Sequence, residues 1–172
     1  MAALVIVLLI RRKAPWERAG RRGERRAVRQ IERILNADDA LLNNIEFEHP
    51  RAEFDNIIIN KRGVFIIEVK AYVGELSGRE TDETWLKVKT TKAGNTYEER
   101  IKNPITQVKR EIEILGRVLK EPVKGYVYFV NENAPFKSRY VVQSMRELSR
   151  LIHSGEKRLE TAEIRGIIKK LR

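Results

Sequence analysis

The chain has 172 residues, 42% of them hydrophobic, which is enough for one compact domain with a substantial core. It contains no cysteine, and this excludes disulfides, thiolate zinc sites and a cysteine nucleophile. The two histidines, His49 and His153, are far apart in sequence, which disfavours a histidine-based metal site or a serine–histidine triad. Any catalytic metal would therefore need mainly oxygen ligands, of the kind that Mg²⁺ or Mn²⁺ accepts.

The charge balance is strongly basic. Lysine and arginine total 35 against 24 acids, which gives a formal net charge of +11. Such a surplus favours a polyanionic partner, either nucleic acid or an acidic membrane surface. The alternative interpretation is a salt-bridged surface of the thermophilic type, because 34% of the residues are charged.

The first ten residues are almost wholly apolar and run into Arg11, Arg12 and Lys13. As a helix they would extend roughly 15 Å, about half of a bilayer core, so a spanning helix is disfavoured. A signal peptide is also disfavoured, since a basic start and a small-residue cleavage site are missing. Two interpretations stay open: the end of a truncated membrane anchor, associating weakly through residues 1–13, or an element that packs on the domain or on another copy in a homo-oligomer. The predicted location is cytoplasmic, with the inner face of a membrane as the variant that an anchor implies.

No repeat or linker divides the chain, so we predict an N-terminal segment at residues 1–22 and a single domain at residues 23–172. Apolar periodicity predicts helices at residues 23–36, from 104 to just before Pro122, and at 145–154 and 161–171. Strands are predicted at 41–48, 54–60, 64–70, 85–88, 125–130 and 140–142. The charged segment 95–102 is predicted as a loop. This order indicates an α/β sandwich with helices on both faces of a sheet.

Two of these runs, FDNIIIN and VFIIEVK, form a predicted hairpin, because only residues 61–63 separate them. A two-residue or a four-residue turn gives the same register, with Asp55 directly opposite Glu68. Side chains alternate along strands, so the face of Asp55, Glu68 and Lys70 is separate from the face that carries Phe54 and Ile58. A three-residue turn would shift the register by one and weaken this inference.

Opposed carboxylates on a strand pair repel each other across about 5 Å. A divalent cation between Asp55 and Glu68 would offset this repulsion, as would a raised pKa of one acid. The alternative is a solvated edge in which the acids and Lys70 form an ordinary ion pair.

The order Asp55, then Glu68-Val69-Lys70 after a hairpin, resembles the D…E-x-K signature of the PD-(D/E)XK nuclease superfamily, and more specifically its nuclease-related domain (NERD) family. Further residues resemble that family's pattern in order, over roughly residues 23–120: Gly23-Glu24, Phe54-Asp55, Gly63-Val64-Phe65, Gly74, Gly78, Trp85, Asn103-Pro104 and Gln107. Two features depart from the pattern. Glu53-Phe54 stands where the superfamily's proline would precede Asp55, and residues beyond Glu121 match only in their strand pattern.

The resemblance implies a restriction-endonuclease-like α/β fold, with an α-β-β-β-α-β core and a mixed sheet flanked by helices. It implies a metal-dependent nuclease that hydrolyses phosphodiester bonds, above all in DNA. Asp55, Glu68 and the backbone carbonyl of Val69 would hold Mg²⁺ or Mn²⁺, and Lys70 would orient or activate the attacking water. A nucleic-acid-binding module without efficient catalysis and a membrane-associated scaffold are the competing interpretations.

The resemblance also implies roles for Glu24, as a further acid, and for Gln107, which would position water, lysine or phosphate. Their alternatives are a charge favoured by the helix dipole and an exposed helix residue, respectively. Trp85 is either a core residue or a base-stacking one. Arginines flank Glu24 and are predicted to contact phosphates, with a solvated helix face or a membrane-facing patch as the alternatives; the predicted contacts are Arg21, Arg22, Arg25 and Arg26.

Overall fold

The structure is a computed structural model that describes residues 18–171, with side chains described at Gly23 and from Arg25 onward. Every helix and strand that the sequence predicts is present in the predicted order, together with two strands that it does not predict. The elements are α1 (Arg18–Ile34), β1 (Ala40–Phe47), β2 (Ala52–Asn60), β3 (Gly63–Lys70), β4 (Glu75–Ser77), β5 (Thr84–Thr90), β6 (Thr96–Lys102), α2 (Pro104–Leu119), β7 (Val123–Phe129), β8 (Val141–Val142), α3 (Met145–His153) and α4 (Thr161–Lys170).

The main sheet is mixed and has the strand order β1-β2-β3-β7-β8. Strands β1, β2 and β3 form an antiparallel meander, while β7 runs parallel to both β3 and β8. The crossover from β3 to β7 passes through α2, as a parallel connection requires. The predicted α-β-β-β-α-β core and mixed sheet are therefore confirmed.

Apolar side chains cover both faces of this sheet. One face packs against α1 and α3, whose Ala27, Ile31, Leu148 and Ile152 are buried. The other packs against α2 and α4 through residues such as Ile105 and Ile167. Because β2 and β3 are covered on both sides, they are continuous apolar runs rather than alternating ones.

The hairpin between β2 and β3 has the predicted register. Asn60 pairs with Gly63 and Ile57 pairs with Ile66, around a two-residue turn at residues 61–62. Gly63 has a φ of +135°, a conformation that glycine adopts with little strain. The turn thus fixes which residues of the two strands share a face.

Strict alternation fails at one point on β2, so the predicted face of Phe54 is wrong. Phe54 lies in the cluster that contains Ile57 and Ile59, not with Ile58. The break falls opposite Asn44 of β1, which has a φ of +54°, and the ladder has no pair between Asn44 and Asp55. Asn44 has a left-handed backbone conformation, which interrupts the pleat. The side chains of both strands therefore exchange faces at this point.

A second, three-stranded antiparallel sheet of order β4-β5-β6 lies between β3 and α2 in the chain. The predicted loop at residues 95–102 is wrong, because Thr96–Lys102 is strand β6 and pairs with β5 along its whole length. Within β6 only Ile101 is buried, so the sequence shows no apolar alternation there. Strand β4 has three residues, too few for a pattern.

Helix α2 begins where Asn103-Pro104 predicts it. The Asn103 side chain accepts a hydrogen bond from the Ile105 amide at 2.9 Å, and Pro104 occupies the first turn. Asn103 Nδ2 also donates to the carbonyls of Glu80 and Asp82 at 3.0 and 2.7 Å. The start of α2 is thereby tied to the loop before β5.

The apolar segment at residues 1–10 lies outside the described residues, and so do the predictions of a membrane anchor or an oligomerisation element that rest on it. From residue 18 to residue 171, no helix combines the length and apolarity needed to cross a membrane.

Candidate active site

The paired strands β2 and β3 separate at the predicted site. Their ladder ends at Ile57 and Ile66, two positions short of Asp55 and Glu68. Beyond it, side chains replace backbone pairing: Asn56 Nδ2 donates to the Ile67 carbonyl at 3.1 Å, and Asp55 Oδ2 accepts from the Val69 amide at 3.1 Å. The two acids are thus near each other, but they are not the directly opposed ladder pair that the register predicts. Mutual repulsion of the carboxylates favours this opening.

Glu68 is the most buried acid of the site, with 2% of its surface exposed. Its Oε1 accepts a hydrogen bond from Lys70 Nζ at 2.5 Å. Its Oε2 is buried and has no hydrogen-bond partner within the described part of the chain. Burial, reinforced by repulsion from Asp55, raises the pKa of Glu68 to about 7, although Lys70 acts in the opposite direction. A positive charge beside Oε2 would stabilise this carboxylate.

Lys70 lies between two acceptors. Its Nζ donates to Glu68 Oε1 and, at 3.2 Å, to Gln107 Oε1. Burial alone would lower the pKa of Lys70, but Glu68, Tyr72 and Asp55 together outweigh that effect, and the net pKa is raised. Lys70 is therefore a fixed ammonium group, which can donate hydrogen bonds and stabilise negative charge.

Helix α2 contributes Gln107 and also Glu111, an acid that was not predicted as part of the site. Gln107 Nε2 donates to Glu111 Oε1 at 2.9 Å. Glu111 is 5% exposed, and burial together with repulsion from Glu68 raises its pKa to about 8. The signal for it was in the sequence: Glu111 follows Val108 by three positions and precedes Leu115 by four, so it lies on the apolar stripe of α2.

Asn56 is a second residue that sequence reasoning missed. It is buried, and its side chain satisfies the Ile67 carbonyl where the ladder has ended. An asparagine inside the apolar run FDNIIIN was the available signal, since buried amides need specific partners. The hydrogen bond from Asn56 to the Ile67 carbonyl joins β2 and β3 at the position where their backbone pairing ends.

Tyr72, in the connection between β3 and β4, lies near the site two residues after Lys70. Burial raises the pKa of Tyr72, and Lys70 and Glu68 both influence it, in opposite directions. Lys87 of β5 lies over the Tyr72 ring, 5.7 Å from its centroid, and pairs with Glu99 of β6 at 2.5 Å. Tyr72 and Lys87 therefore add an aromatic ring and a cation near the carboxylates.

Helix α1 approaches the end of β3 through Gly23. A Cβ on Gly23 would lie 2.3 Å from the Cβ of Ala71, so only glycine fits this contact. This places the backbone of residue 24 next to the strand that carries Glu68 and Lys70. The side chains of Glu24, Arg21 and Arg22 lie outside the described residues, and their roles stay predictions.

Arg25 and Arg26 are exposed on α1. Arg26 is close enough to Tyr128 to lower the pKa of that hydroxyl group, although burial and Glu132 raise it overall. Tyr128 packs in the same cluster as Val69, on the α1 side of the sheet. The two arginines thus face solvent on α1 and are available to an approaching polyanion.

The close approach of α1 gives a testable prediction. Gly23→Ala is expected to lower the free energy of unfolding by about 1–2 kcal/mol, because the added methyl group overlaps Ala71. Gly166→Ala in α4 is the matched control: nothing lies within 4 Å of its added Cβ, so helix propensity should raise stability by about 0.5–1 kcal/mol. Urea unfolding of both variants measures the difference. Equal stabilisation by both would contradict the packing of α1 on β3.

The donors fit a hard divalent cation. Asp55 and Glu68 could supply oxygen ligands, and the buried Glu68 Oε2 has no hydrogen-bond partner among the described residues, whereas Lys70 pairs with the other oxygen. Among the residues that the structure describes, no three His, Asp or Glu side chains converge as a complete metal-binding group. Mg²⁺ needs no such group, since it is commonly bound by one or two carboxylates, with water and substrate phosphates completing the shell.

Comparison with known proteins bears on the family to which the chain belongs. Curated proteins and solved structures give no significant match to the chain. The model of one family, described as nuclease-related domain, matches residues 19–130. That range runs from α1 through β7 and includes Asp55, Glu68, Lys70 and Gln107, whereas β8, α3 and α4 lie beyond it. The chain therefore belongs to the nuclease-related domain (NERD) family.

Proposed function

We propose that this protein is a metal-dependent nuclease that hydrolyses phosphodiester bonds in DNA. The observation that carries the proposal is the Glu68 carboxylate: it is buried beside Asp55, held by Lys70 on one oxygen and unpaired on the other. A structural acid is rarely buried with an unsatisfied oxygen, because that arrangement costs stability. A role in binding a cation or a reacting phosphate would explain why an acid is buried in this way despite the cost in stability.

In this proposal Asp55, Glu68 and the backbone carbonyl of Val69 hold Mg²⁺ or Mn²⁺. The bound ion supplies positive charge that stabilises the reacting phosphate. The Val69 amide holds Asp55 through Oδ2, and Oδ1 is the oxygen that we propose binds the ion. Glu24 is proposed as a further acid, from the first helix.

Lys70 acts as a cation in this scheme. Its raised pKa keeps it protonated at neutral pH, so it orients the attacking water and stabilises the developing charge without accepting a proton. An ammonium group has three N–H donors. Two of them bond Glu68 and Gln107, which leaves one directed toward water or phosphate.

Substrate attraction follows from the net charge of +11, which concentrates polyanions near the protein. We propose that Arg21, Arg22, Arg25 and Arg26 contact phosphates of the strand that enters the site. Such contacts carry no sequence information, so cleavage without strong sequence preference is expected.

The test is cleavage of labelled single- and double-stranded DNA, with labelled RNA beside it, over a range of Mg²⁺ and Mn²⁺ concentrations. Asp55→Ala, Glu68→Ala and Lys70→Ala are each expected to lower the rate by about 10²-fold or more, as loss of electrostatic stabilisation does at such sites. EDTA should stop the reaction. Glu46→Ala, which removes an exposed carboxylate of β1, is expected to cut like wild type.

Three outcomes would change the proposal. If wild type binds DNA but leaves every substrate intact, the protein is a binding module of the same fold. Cutting of RNA alone would keep the nuclease and replace its substrate. Cutting that survives in the Glu68 and Lys70 variants would place the active site elsewhere.

A further inference from the structure

Glu111 is a buried acid on α2 that belongs to none of the motifs discussed above. It is 5% exposed, and its Oε2 has no hydrogen-bond partner among the described residues. Its Oε1 accepts from Gln107 Nε2, which lies one helical turn earlier on the same face. No cation pairs with Glu111 in the described part of the chain to offset the cost of burying it.

We propose that Glu111 is a positioning residue, which orients the Gln107 carboxamide so that Oε1 of Gln107 faces Lys70. The inference rests on the proposed nuclease function, because Lys70 is the group that would act on the substrate. Among the described residues, no hydrogen bond or ion pair joins Glu111 to Lys70. It acts through Gln107.

The amide of Gln107 has two ends of opposite character. Its oxygen accepts hydrogen bonds, whereas its nitrogen donates two. With the oxygen toward Lys70, the ammonium group gains an acceptor at 3.2 Å. In the reversed orientation, the amide nitrogen would face the ammonium group, donor against donor. The identity of the residue on the far side of Gln107 decides which orientation is stable.

Glu111 makes that choice because Oε1 of its carboxyl group accepts the Gln107 Nε2 bond at 2.9 Å. An acceptor at this position fixes the nitrogen end of the amide and turns the oxygen end toward Lys70. The result is a continuous chain of hydrogen bonds from Glu68 through Lys70 and Gln107 to Glu111. Removing its last member would free the Gln107 amide to rotate, and Lys70 would lose one of two fixed acceptors.

A purely structural role for Glu111 makes a different prediction. Burying an acid without a cationic partner costs stability, so a leucine of similar volume at position 111 would remove that cost. Glu111→Leu should therefore fold normally, and its melting temperature should equal or exceed that of wild type. Any loss of activity in this variant then comes from the site and not from unfolding.

The experiment compares Glu111→Leu, Glu111→Gln and Glu113→Leu in steady-state cleavage with Mg²⁺, alongside melting temperatures. Glu111→Leu is expected to lower kcat by about 10-fold or more while KM stays within about threefold, because the lost effect lies in the orientation of Lys70. Glu111→Gln keeps an acceptor oxygen for Gln107 and should retain kcat within about threefold. Glu113 is the exposed acid two positions further along α2, and Glu113→Leu is the matched control. It is expected to leave kcat and KM unchanged.

A second measurement does not depend on cleavage. The ¹⁵N resonance of the Lys70 ammonium group, assigned by its disappearance in Lys70→Arg, reports how firmly Nζ is held. Solvent exchange of this group should be faster in Glu111→Leu and unchanged in Glu111→Gln. If this holds but wild type does not cut DNA, the positioning role stands and the proposed nuclease function fails.

Two results would overturn the inference. One is a solvent-exchange rate of the Lys70 ammonium group that is the same in Glu111→Leu as in wild type, whatever the cleavage activity. The other is equal inactivity of Glu111→Gln and Glu111→Leu, which would mean that the carboxyl group itself is needed and not merely an acceptor for Gln107.

Discussion

Without divalent cations, the protein is expected to lose thermal stability as the pH rises from about 5.5 to 8.5. The cause is the pair of buried acids in the site, Glu68 and Glu111, whose pKa values are raised to about 7 and about 8 from an ordinary value of 4.5. Above pH 4.5 the unfolded chain releases these protons, while the folded protein keeps them. Each rise in pH therefore favours the unfolded state until both folded pKa values have been passed.

The expected loss is on the order of a few kcal/mol for the two groups together, or about 5–10 °C in melting temperature. Melting curves in EDTA at several pH values measure it. Glu111→Gln should flatten the dependence, because its side chain does not ionise. Adding Mg²⁺ should stabilise the protein more at pH 8.5 than at pH 5.5, since a cation binds the ionised carboxylates. If the melting temperature in EDTA rises with pH, and rises equally in wild type and in Glu111→Gln, the result would contradict the burial of these acids.

Trp85→Ala is expected to lower the free energy of unfolding by about 3–5 kcal/mol, the cost typical of emptying a large aromatic site in a core. Trp85 is 1% exposed. Its ring stacks on Phe129 with centroids 6.1 Å apart and meets the edge of Phe136 at 5.4 Å. Its Nε1 donates to the Arg79 carbonyl at 2.9 Å. Of the two roles that the sequence left open for Trp85, the structure gives it the core role.

Tyr97→Ala is the matched control for this prediction. Tyr97 lies on the neighbouring strand β6 with 59% of its surface exposed, so its loss should change stability by no more than about 0.5 kcal/mol. Urea unfolding of both variants gives the comparison. If the two substitutions destabilise equally, the three-stranded sheet does not pack on the main sheet through Trp85. Such a result would also favour the alternative role of Trp85, which is stacking on a nucleic-acid base.

Much of the fold follows from local features of the sequence. The short turn after Asn60 sets the hairpin register, and the apolar runs around it identify β2 and β3. Asn103 and Pro104 set the start of α2, because a side-chain acceptor and a missing amide are what a helix N-terminus favours. These signals act within a few residues, so they can be recognised without knowledge of the rest of the chain.

The errors have a common physical origin in long-range pairing and burial. Strand β6 is polar and mostly exposed, and it is a strand because β5 supplies its hydrogen bonds. Phe54 changes face because of Asn44, a residue on a different strand. Neither fact can be recognised from a local window of sequence, since propensity and periodicity report on neighbours in the chain.

The candidate site divides in the same way. By itself, the sequence predicted that Asp55, Glu68 and Lys70 would lie near one another, because a short hairpin turn brings Asp55 of one strand to the level of Glu68 on the other. Only the tertiary structure decided that the strands part at Asp55, that Glu68 has an unpaired buried oxygen, and that Glu111 lies in contact with Gln107. Those features depend on how α2 packs across the sheet, and burial of a charge is a property of the whole fold rather than of the residues beside it in the chain.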